Sequence, residues 1–555
     1  MNKTCRQCEK TFSVSDDDIV FFDKISPSYN GVKYLMETPS TCPDCRVKTR
    51  MSWRNDRSFY LRECDGTHQP FVSIYPKETI FPVFHPDYWY SDKWDPLGYG
   101  QVLDVSRSFF QQWQDLMNKV PRLGIDIVNC ENSYYCNYCG DNKNCYLDIA
   151  GEDNHDCFYN LFTKHSQNVV DSTFVYESEL VYESINCYKC YKVYFSQYLE
   201  NCNDCSFCFD LKGCSNCLFS SNLRQKSYCL FNEQLSKEAY EEKIKGLSLA
   251  QSSKINEYKE AFRKIKLNAI HRDVYSLNSE RCSGNDIKNS KNCHFSYNIV
   301  SSEDSKYLYD VLDALDCQDL NYSLYKPECS YNLISTLAMK FSSCAMASHY
   351  CSKSFYVDQC NNSSNLFGCI GLNQKAYCIL NKQYSKEEYE DLVPKIIEKM
   401  KMYGEWGEFF PSTISPFGYN ETVAQEYYPL TKDEVLKHEM KWKEEEVKNS
   451  SKIEVDVPDC LSEIKDDILQ TVLFCEVSGK PYKIIKQELD FYRKMDLAVP
   501  RRCPDQRHKD RIDQRNPRTL FKRTCSKCGA DIETTYSPER PEKVYCEECY
   551  LKKVY

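Results

Sequence analysis

Between residues 141 and 217 polar positions recur on a fixed beat. Asp141, Asp156, Asp171, Asn186, Asn201 and Asn216 fall every 15 residues. Each is followed by a small polar residue: Asn142, Cys157, Ser172, Cys187, Cys202 and Cys217. Three positions further on, a second column contains Cys145, Cys190, Cys205 and Ser220. Aromatic and β-branched residues fill the intervals, as in STFVY and CYKCYKVYF. A short fixed period with small residues in fixed columns predicts stacked coils. Helices do not repeat at this interval with so much β-forming content, so the expected element is a narrow β-solenoid. Cys, Ser, Asn and Thr fit its tight interior, and stacked Asn and Asp can form hydrogen-bonded ladders between turns.

A second array begins near residue 282 with a step of 12: Asn292-Cys293, Asp304-Ser305, Asp316-Cys317 and Glu328-Cys329. It reads as less regular through Cys344, Cys351, Cys360, Cys369 and Cys378. Both arrays end alike, because 222–244 matches 371–393 at an offset of 149. Each ending predicts a strand entering a helix that covers the open end of the stack. Ser385 with Glu388 forms a capping box for the second helix, and Ser236 caps the first. Helical linkers are expected at 104–120, 235–270, 384–403 and 431–448, with a Pro-rich extended connector at 409–431.

Composition adds the chemistry. The chain has 555 residues, 34 of them Cys and 43 Tyr, but only 17 Gly, with a net charge of −10. That length suggests three to five domains. Such a charge disfavours nucleic-acid attraction over the whole surface, so any such contact is local. No apolar run is long enough to span a bilayer, and the opening MNKTCRQCEK lacks a signal core. The reading is a cytoplasmic protein whose cysteines are metal ligands or small buried thiols; a secreted disulfide scaffold is the alternative.

Eight cysteines form two sets: Cys5, Cys8, Cys42 and Cys45, then Cys525, Cys528, Cys546 and Cys549. Two CxxC knuckles per set supply four thiolates to one tetrahedral zinc and leave no open coordination position. Both sets therefore read as structural. The two ends are also copies. At an offset of 461, Arg46, Arg50, Arg54, Asn55, Arg57, Arg62 and Cys64 fall on Arg507, Arg511, Arg515, Asn516, Arg518, Arg523 and Cys525. Cys5 and Cys42 match Cys475 and Cys503. Each end is thus a tandem of two ribbon-like units, one of them eroded: Cys64 is accompanied by Thr67, His85 and Tyr88, and Cys475 and Cys503 by Ser478 and Gln506. Two zinc ions per chain are expected, with packing around Tyr75 and Tyr536 supporting the eroded units.

The phrases CPDCRVKTRMSWRNDRSFYLREC, LNQKAYCILNKQYSKEEYE and CSKCGADIETTYSPERPEKVYCEECY carry a resemblance. The pattern is similar to the "probable zinc-ribbon" domain, and most of the chain resembles large cysteine-rich zinc-ribbon proteins of candidate phyla radiation bacteria. The resemblance implies metal binding and no particular activity.

The expected fold is mainly β with helical linkers: two narrow solenoids of 12–15-residue coils flanked by N- and C-terminal zinc-ribbon pairs. The boundaries are a ribbon pair at 1–92, linker 93–123, solenoid 124–232, capping helices 233–280, solenoid 281–381, linker 382–470 and a ribbon pair at 471–555. CxxC steps inside the solenoids are read as small residues selected at coil corners, since the same columns accept Ser, Asn and Val. Arg46, Arg50, Arg54 and Arg57, repeated as Arg507, Arg511, Arg515 and Arg518, are spaced for one helical face. They are candidates for phosphate contacts, with Trp53 and Tyr60 available to stack on bases; pairing with carboxylates inside each ribbon pair is the alternative. Among the nine His, only His85 has a ligand argument, since it aligns with Cys546. No phosphate loop, nucleophile elbow or HExxH helix is present. Asp148, Glu152 and Asp153 are the carboxylates a solenoid-groove enzyme would use. The function read from the sequence is a non-enzymatic zinc-binding scaffold with a protein or RNA partner, no membrane and no small-molecule substrate. A solenoid enzyme and a thiol-based metal store or redox protein are the alternatives.

Overall fold

The computed structural model describes residues 1–444 and 457–555. Its dominant element is the parallel β-solenoid, and the backbone explains how the sequence builds it. From Asn129 to Phe231 every third residue has positive φ. Each such residue turns a corner, so one triplet makes one side of the coil. Strand partners stand 12 residues apart, as in Leu161↔Thr173, Val181↔Val193 and Cys205↔Cys217. One turn is therefore four triplets. The second array keeps the same step of 12, with 11 at its first turn (Ser276↔Ile287) and 13 across Pro327 (Gln318↔Tyr331).

This corrects the 15-residue period. Fifteen is five triplets, so Asp141, Asp156, Asp171, Asn186, Asn201 and Asn216 all occupy corners, each one side further round the coil. Asn and Asp tolerate left-handed backbone better than other residues with a Cβ. No Val, Ile or Thr occupies any described positive-φ position, although strands favour all three. The corner geometry thus filters composition: β-branched residues are confined to the sides.

The residue after each corner points inward. Cys145, Cys157, Val169, Val175, Val181, Cys187, Val193, Leu199, Cys205 and Leu211 line the first core, and Ile287, Cys293, Ile299, Val311, Cys317, Leu320 and Leu333 the second. Where Ser takes this position it bridges turns. The Ser184 hydroxyl donates to the Tyr182 carbonyl at 2.9 Å and accepts the Ser196 amide at 3.1 Å. Cys donates similarly, as Cys190 Sγ does to the carbonyls of Tyr188 (3.4 Å) and Leu199 (3.5 Å). The three-residue spacing of solenoid cysteines follows from the triplet.

Each array ends in a hairpin, Ser227–Leu230 with Glu233–Gln234 and Ala376–Ile379 with Lys382–Gln383. Helices Lys237–Ile244 and Lys386–Tyr403 follow. The Ser385/Glu388 capping box is present, and Ser236 accepts the Ala239 amide at 3.2 Å. The linker expected at 104–120 holds helix Phe109–Met117; that at 235–270 is two helices, the second Ser252–Asn268. The helix expected at 431–448 is Lys432–Lys437, and residues 445–448 lie outside the described residues.

The chain forms two compact units that do not follow its linear order. One comprises Met1–Ile125, Val274–Glu445 and Arg518–Leu520; the other comprises Asp126–Asp273, Glu446–Pro517 and Phe521–Tyr555. Each ribbon pair thus shares a unit with the solenoid farther from it in sequence. We call them lobe one (N-terminal ribbons, second solenoid) and lobe two (C-terminal ribbons, first solenoid).

Candidate metal centres and the docked ribbons

All four ribbons make the same knuckle. The amides of Cys5, Cys64, Cys475 and Cys525 donate to the carbonyls of Lys10, Gln69, Lys480 and Ala530 at 2.8–2.9 Å. Glu9, His68, Gly479 and Gly529 supply the positive-φ residue that closes each turn. In the first ribbon, Cys42 caps helix Pro43–Met51 with Pro43 in the first turn. In the last, Cys546 caps helix Glu547–Val554. Thiolates at these positions benefit from a helix N-terminus.

Two groups of four thiols result, Cys5/Cys8/Cys42/Cys45 and Cys525/Cys528/Cys546/Cys549, with all ligand atoms of a group within 4.8 Å of one another. Cys8 Sγ lies 3.6 Å from Cys42 Sγ, and Cys528 Sγ 3.8 Å from Cys546 Sγ. A tetrahedron with metal–sulfur bonds of about 2.3 Å has edges of about 3.8 Å, so both donor sets fit a metal ion. The Cys42 amide donates to Cys5 Sγ at 3.2 Å and the Cys546 amide to Cys525 Sγ at 3.3 Å. Burial pushes the Cys525 thiol up, but the amides of Cys528, Cys546 and Lys527 outweigh it and bring the group to about 6. A hydrogen bond from Cys45 lowers Cys42 to about 4 against the cost of burial, and Cys45 is raised in return.

The eroded ribbons keep the knuckle and lose the donors. The His85 amide donates to Cys64 Sγ at 3.3 Å, but the ring caps helix Pro86–Trp89, its Nδ1 accepting the Asp87 amide at 3.2 Å. Tyr88, at the fourth ligand position, lies over Gly66, where a Cβ would meet Tyr88 Cε1 at 2.3 Å. Aromatic packing fills the position of the fourth ligand. In the other eroded ribbon, Ser478 Oγ lies 3.6 Å from Cys503 Sγ, and Gln506 turns away to donate to Asp510 at 2.8 Å.

The arginine columns are docked against the solenoids. In lobe one, Arg46 Nε donates to Asp319 at 2.9 Å and Arg50 Nη1 lies 3.1 Å from the same carboxylate. Arg50 also donates to Asn321 and Asn332 at 2.7 Å each. Arg54 bonds Asp56 and Ser335, with its guanidinium 4.1 Å from the Tyr322 ring centre. In lobe two, Arg507 and Arg511 both donate to Asp171, Arg511 at 2.9 Å, and Arg515 lies 4.2 Å from the Phe174 ring centre. Arg518 pairs with Asp310 and stacks on Tyr427 in lobe one. Arg57 is half-buried in the loop after its helix.

Arg46, Arg50, Arg54, Arg507 and Arg511 are buried, and the Arg518 side chain, paired with Asp310, is 6 % exposed. The phosphate-binding face read from the sequence is therefore turned inward. Carboxylates of both origins hold it: Asp319, Asp171 and Asp310 from the solenoids, and Asp56 and Glu488 from within the ribbon pairs as the alternative had it. Trp53 is buried as well, its indole donating to the Phe410 carbonyl. Sequence spacing identifies a helical face; it does not say whether solvent or protein lies opposite.

Asp171 and Asp319 are the residues that sequence reading missed as site residues. They stand 148 residues apart and perform the same task on copied arginines 461 residues apart. In the sequence Asp171 stands out only as part of a polar column. Tyr75 packs in the core of its eroded ribbon beside Cys64 and Phe81 as expected, whereas Tyr536 packs in the intact ribbon; both also hold the strand entering a solenoid, Tyr75 accepting from Arg122 at 3.0 Å and Tyr536 bonding His271 at 2.8 Å. The carboxylates assigned to a solenoid enzyme do not converge. Asp148 points into the coil, where Asn142 and Asn154 donate to it at 3.0 Å each; Glu152 pairs with Lys164, and Asp153 is exposed beside His165.

Fold and sites define the class: a cysteine-rich β-solenoid protein with paired ribbons, each pair carrying one four-thiol group that could hold a metal ion. No family model and no curated protein matches the chain. Among solved structures, one of a Desulfovibrio desulfuricans G20 chain named as an acetyltransferase aligns with 49% of this chain and 78% of its own, at 9% identity and a TM-score of 0.11. That likeness carries no argument. No helix among the described residues is long and apolar enough to cross a membrane.

Proposed function

We propose that the protein is a non-enzymatic scaffold in which two zinc ions, one per ribbon pair, fix the ribbons that brace the two solenoids. The carrying observation is the burial of the arginine columns on Asp319 and Asp171. The ribbon pairs are spent on holding the solenoids, which leaves the outer solenoid faces for a partner. Zinc is favoured by all-thiolate donor sets with tetrahedral spacing. The thiols within the coils donate to carbonyls and alternate with Ser, which supports a space-filling role over metal storage. The resemblance to cysteine-rich zinc-ribbon proteins of candidate phyla radiation bacteria agrees with this reading.

The partner is proposed to be a protein. Affinity capture of the tagged chain with and without nuclease tests this: a partner retained after nuclease supports it, and capture lost on nuclease treatment indicates RNA. If RNA were held by the columns, replacing Arg50, Arg54 and Arg57 together would flatten the salt dependence of binding. The scaffold reading expects those changes to lower stability instead.

A further inference from the structure

The eroded ribbon of lobe two retains Cys475 and Cys503 and has Ser478 in place of a third thiol. Cys475 Sγ accepts the Ser478 amide at 3.5 Å. Cys503 Sγ lies 3.6 Å from Ser478 Oγ, so both thiols border the same serine. Both cysteines are buried, but Ser478 is exposed and forms the mouth of the site. Burial pushes the Cys475 thiol up, yet the Ser478 hydroxyl and the amides around it bring it to about 7. An amide-supported thiol beside a second thiol, behind a small polar residue, has the parts of a thiol–disulfide pair. Nothing comparable exists at Cys64, whose ribbon partners are Thr67, His85 and Tyr88.

We propose that Cys475 and Cys503 form a peroxide-responsive dithiol built from the abandoned metal site. The Cys475 thiolate attacks one oxygen of hydrogen peroxide, the O–O bond breaks, and hydroxide leaves, giving a sulfenic acid. The Cys503 sulfur then attacks Cys475 Sγ, its proton joins the departing hydroxyl as water, and the disulfide closes. Two thiols and one peroxide yield one disulfide and two waters. The bridge joins the knuckle to the N-cap of helix Pro504–Ile512, which carries Arg507 and Arg511.

The test uses the full metal-loaded chain, treated with hydrogen peroxide, quenched with iodoacetamide, digested and analysed without reduction. The expected product is a peptide pair linked through Cys475 and Cys503, lighter by two hydrogens and separated by dithiothreitol. In Cys503→Ser, dimedone should label Cys475. Complete alkylation of both cysteines after peroxide overturns the proposal. So does a third metal ion bound at this pair, or oxidation of Cys475 beyond sulfenic acid without a bridge in the wild-type chain.

Discussion

The two lobes solve one docking problem with copied parts. In both, paired arginines from a ribbon helix grip a solenoid aspartate, Arg46 and Arg50 on Asp319, Arg507 and Arg511 on Asp171. In both, the first arginine also lies over a tyrosine, Tyr307 or Tyr159. An aromatic of the preceding helix meets a solenoid tyrosine, Phe22 with Tyr331 and Tyr492 with Tyr182. They differ in their second carboxylate. Glu488 reaches Arg507 at 3.1 Å, whereas its counterpart Asp18 is engaged by Lys306 at 2.9 Å. They differ also in metal: lobe one keeps its four thiols in the first ribbon, lobe two in the second. Docking is the same whichever ribbon of a pair keeps four thiols, so the four-thiol group belongs to its ribbon while the ion-pair cluster joins the ribbons to the solenoid.

The largest effects should come from the metal. Structural zinc contributes about 10–16 kcal/mol of folding free energy in zinc-finger peptides. Cys8→Ser and Cys528→Ser should each cost several kcal/mol and open the affected ribbon to hydrogen exchange, leaving the other lobe's ribbons protected. Exchange in both lobes from one substitution would break the comparison.

Next come the docking aspartates. Removing one partner of a buried ion pair costs about 3–5 kcal/mol. Asp319→Asn should cost more than Asp171→Asn, because Glu488 still compensates Arg507 in lobe two. Chemical denaturation monitored per lobe checks this; the reverse order would mean that the carboxylates are not equivalent.

Among the described residues Asp148 has no charged partner. Burial raises it to about 7, and Asn154, Asn142 and Asn160 offset only part of that. A carboxyl whose folded value exceeds its unfolded one binds more protons when folded, so its contribution to stability falls as pH rises from about 4 and is lost above about 7. Asp148→Asn should remove that decline, a difference of roughly 3 kcal/mol at pH 8 against pH 4. Melting of variant and parent across this range measures it. The smallest effect is expected from Arg515→Met beside Arg54→Met. The loss of stacking on Phe174 should cost about 1–2 kcal/mol, less than at Arg54, which also bonds Asp56 and Ser335.

Much of this was legible in the chain. CxxC pairing announced both four-thiol groups, and recurrent Asn, Asp and Cys announced coils. The 15-residue period misled because Asn and Asp mark corners, and corners recur every three residues; the step of 12 was legible in the second array, and the ladder register extends it to the first. The docking of each ribbon pair on the distant solenoid was illegible, since Asp171 and Asp319 look like any other corner residue until the arginines opposite them are seen. The arginine columns were legible as faces, open to phosphate or to carboxylates; the carboxylates opposite them are what the structure adds.

Native mass spectrometry of protein purified under reducing conditions tests the central claim most directly. The account expects two zinc ions per chain, one in Cys8→Ser, one in Cys528→Ser and none when both are changed. Three or more ions, or metal retained by the double variant, would place ligands outside the two four-thiol groups and contradict it.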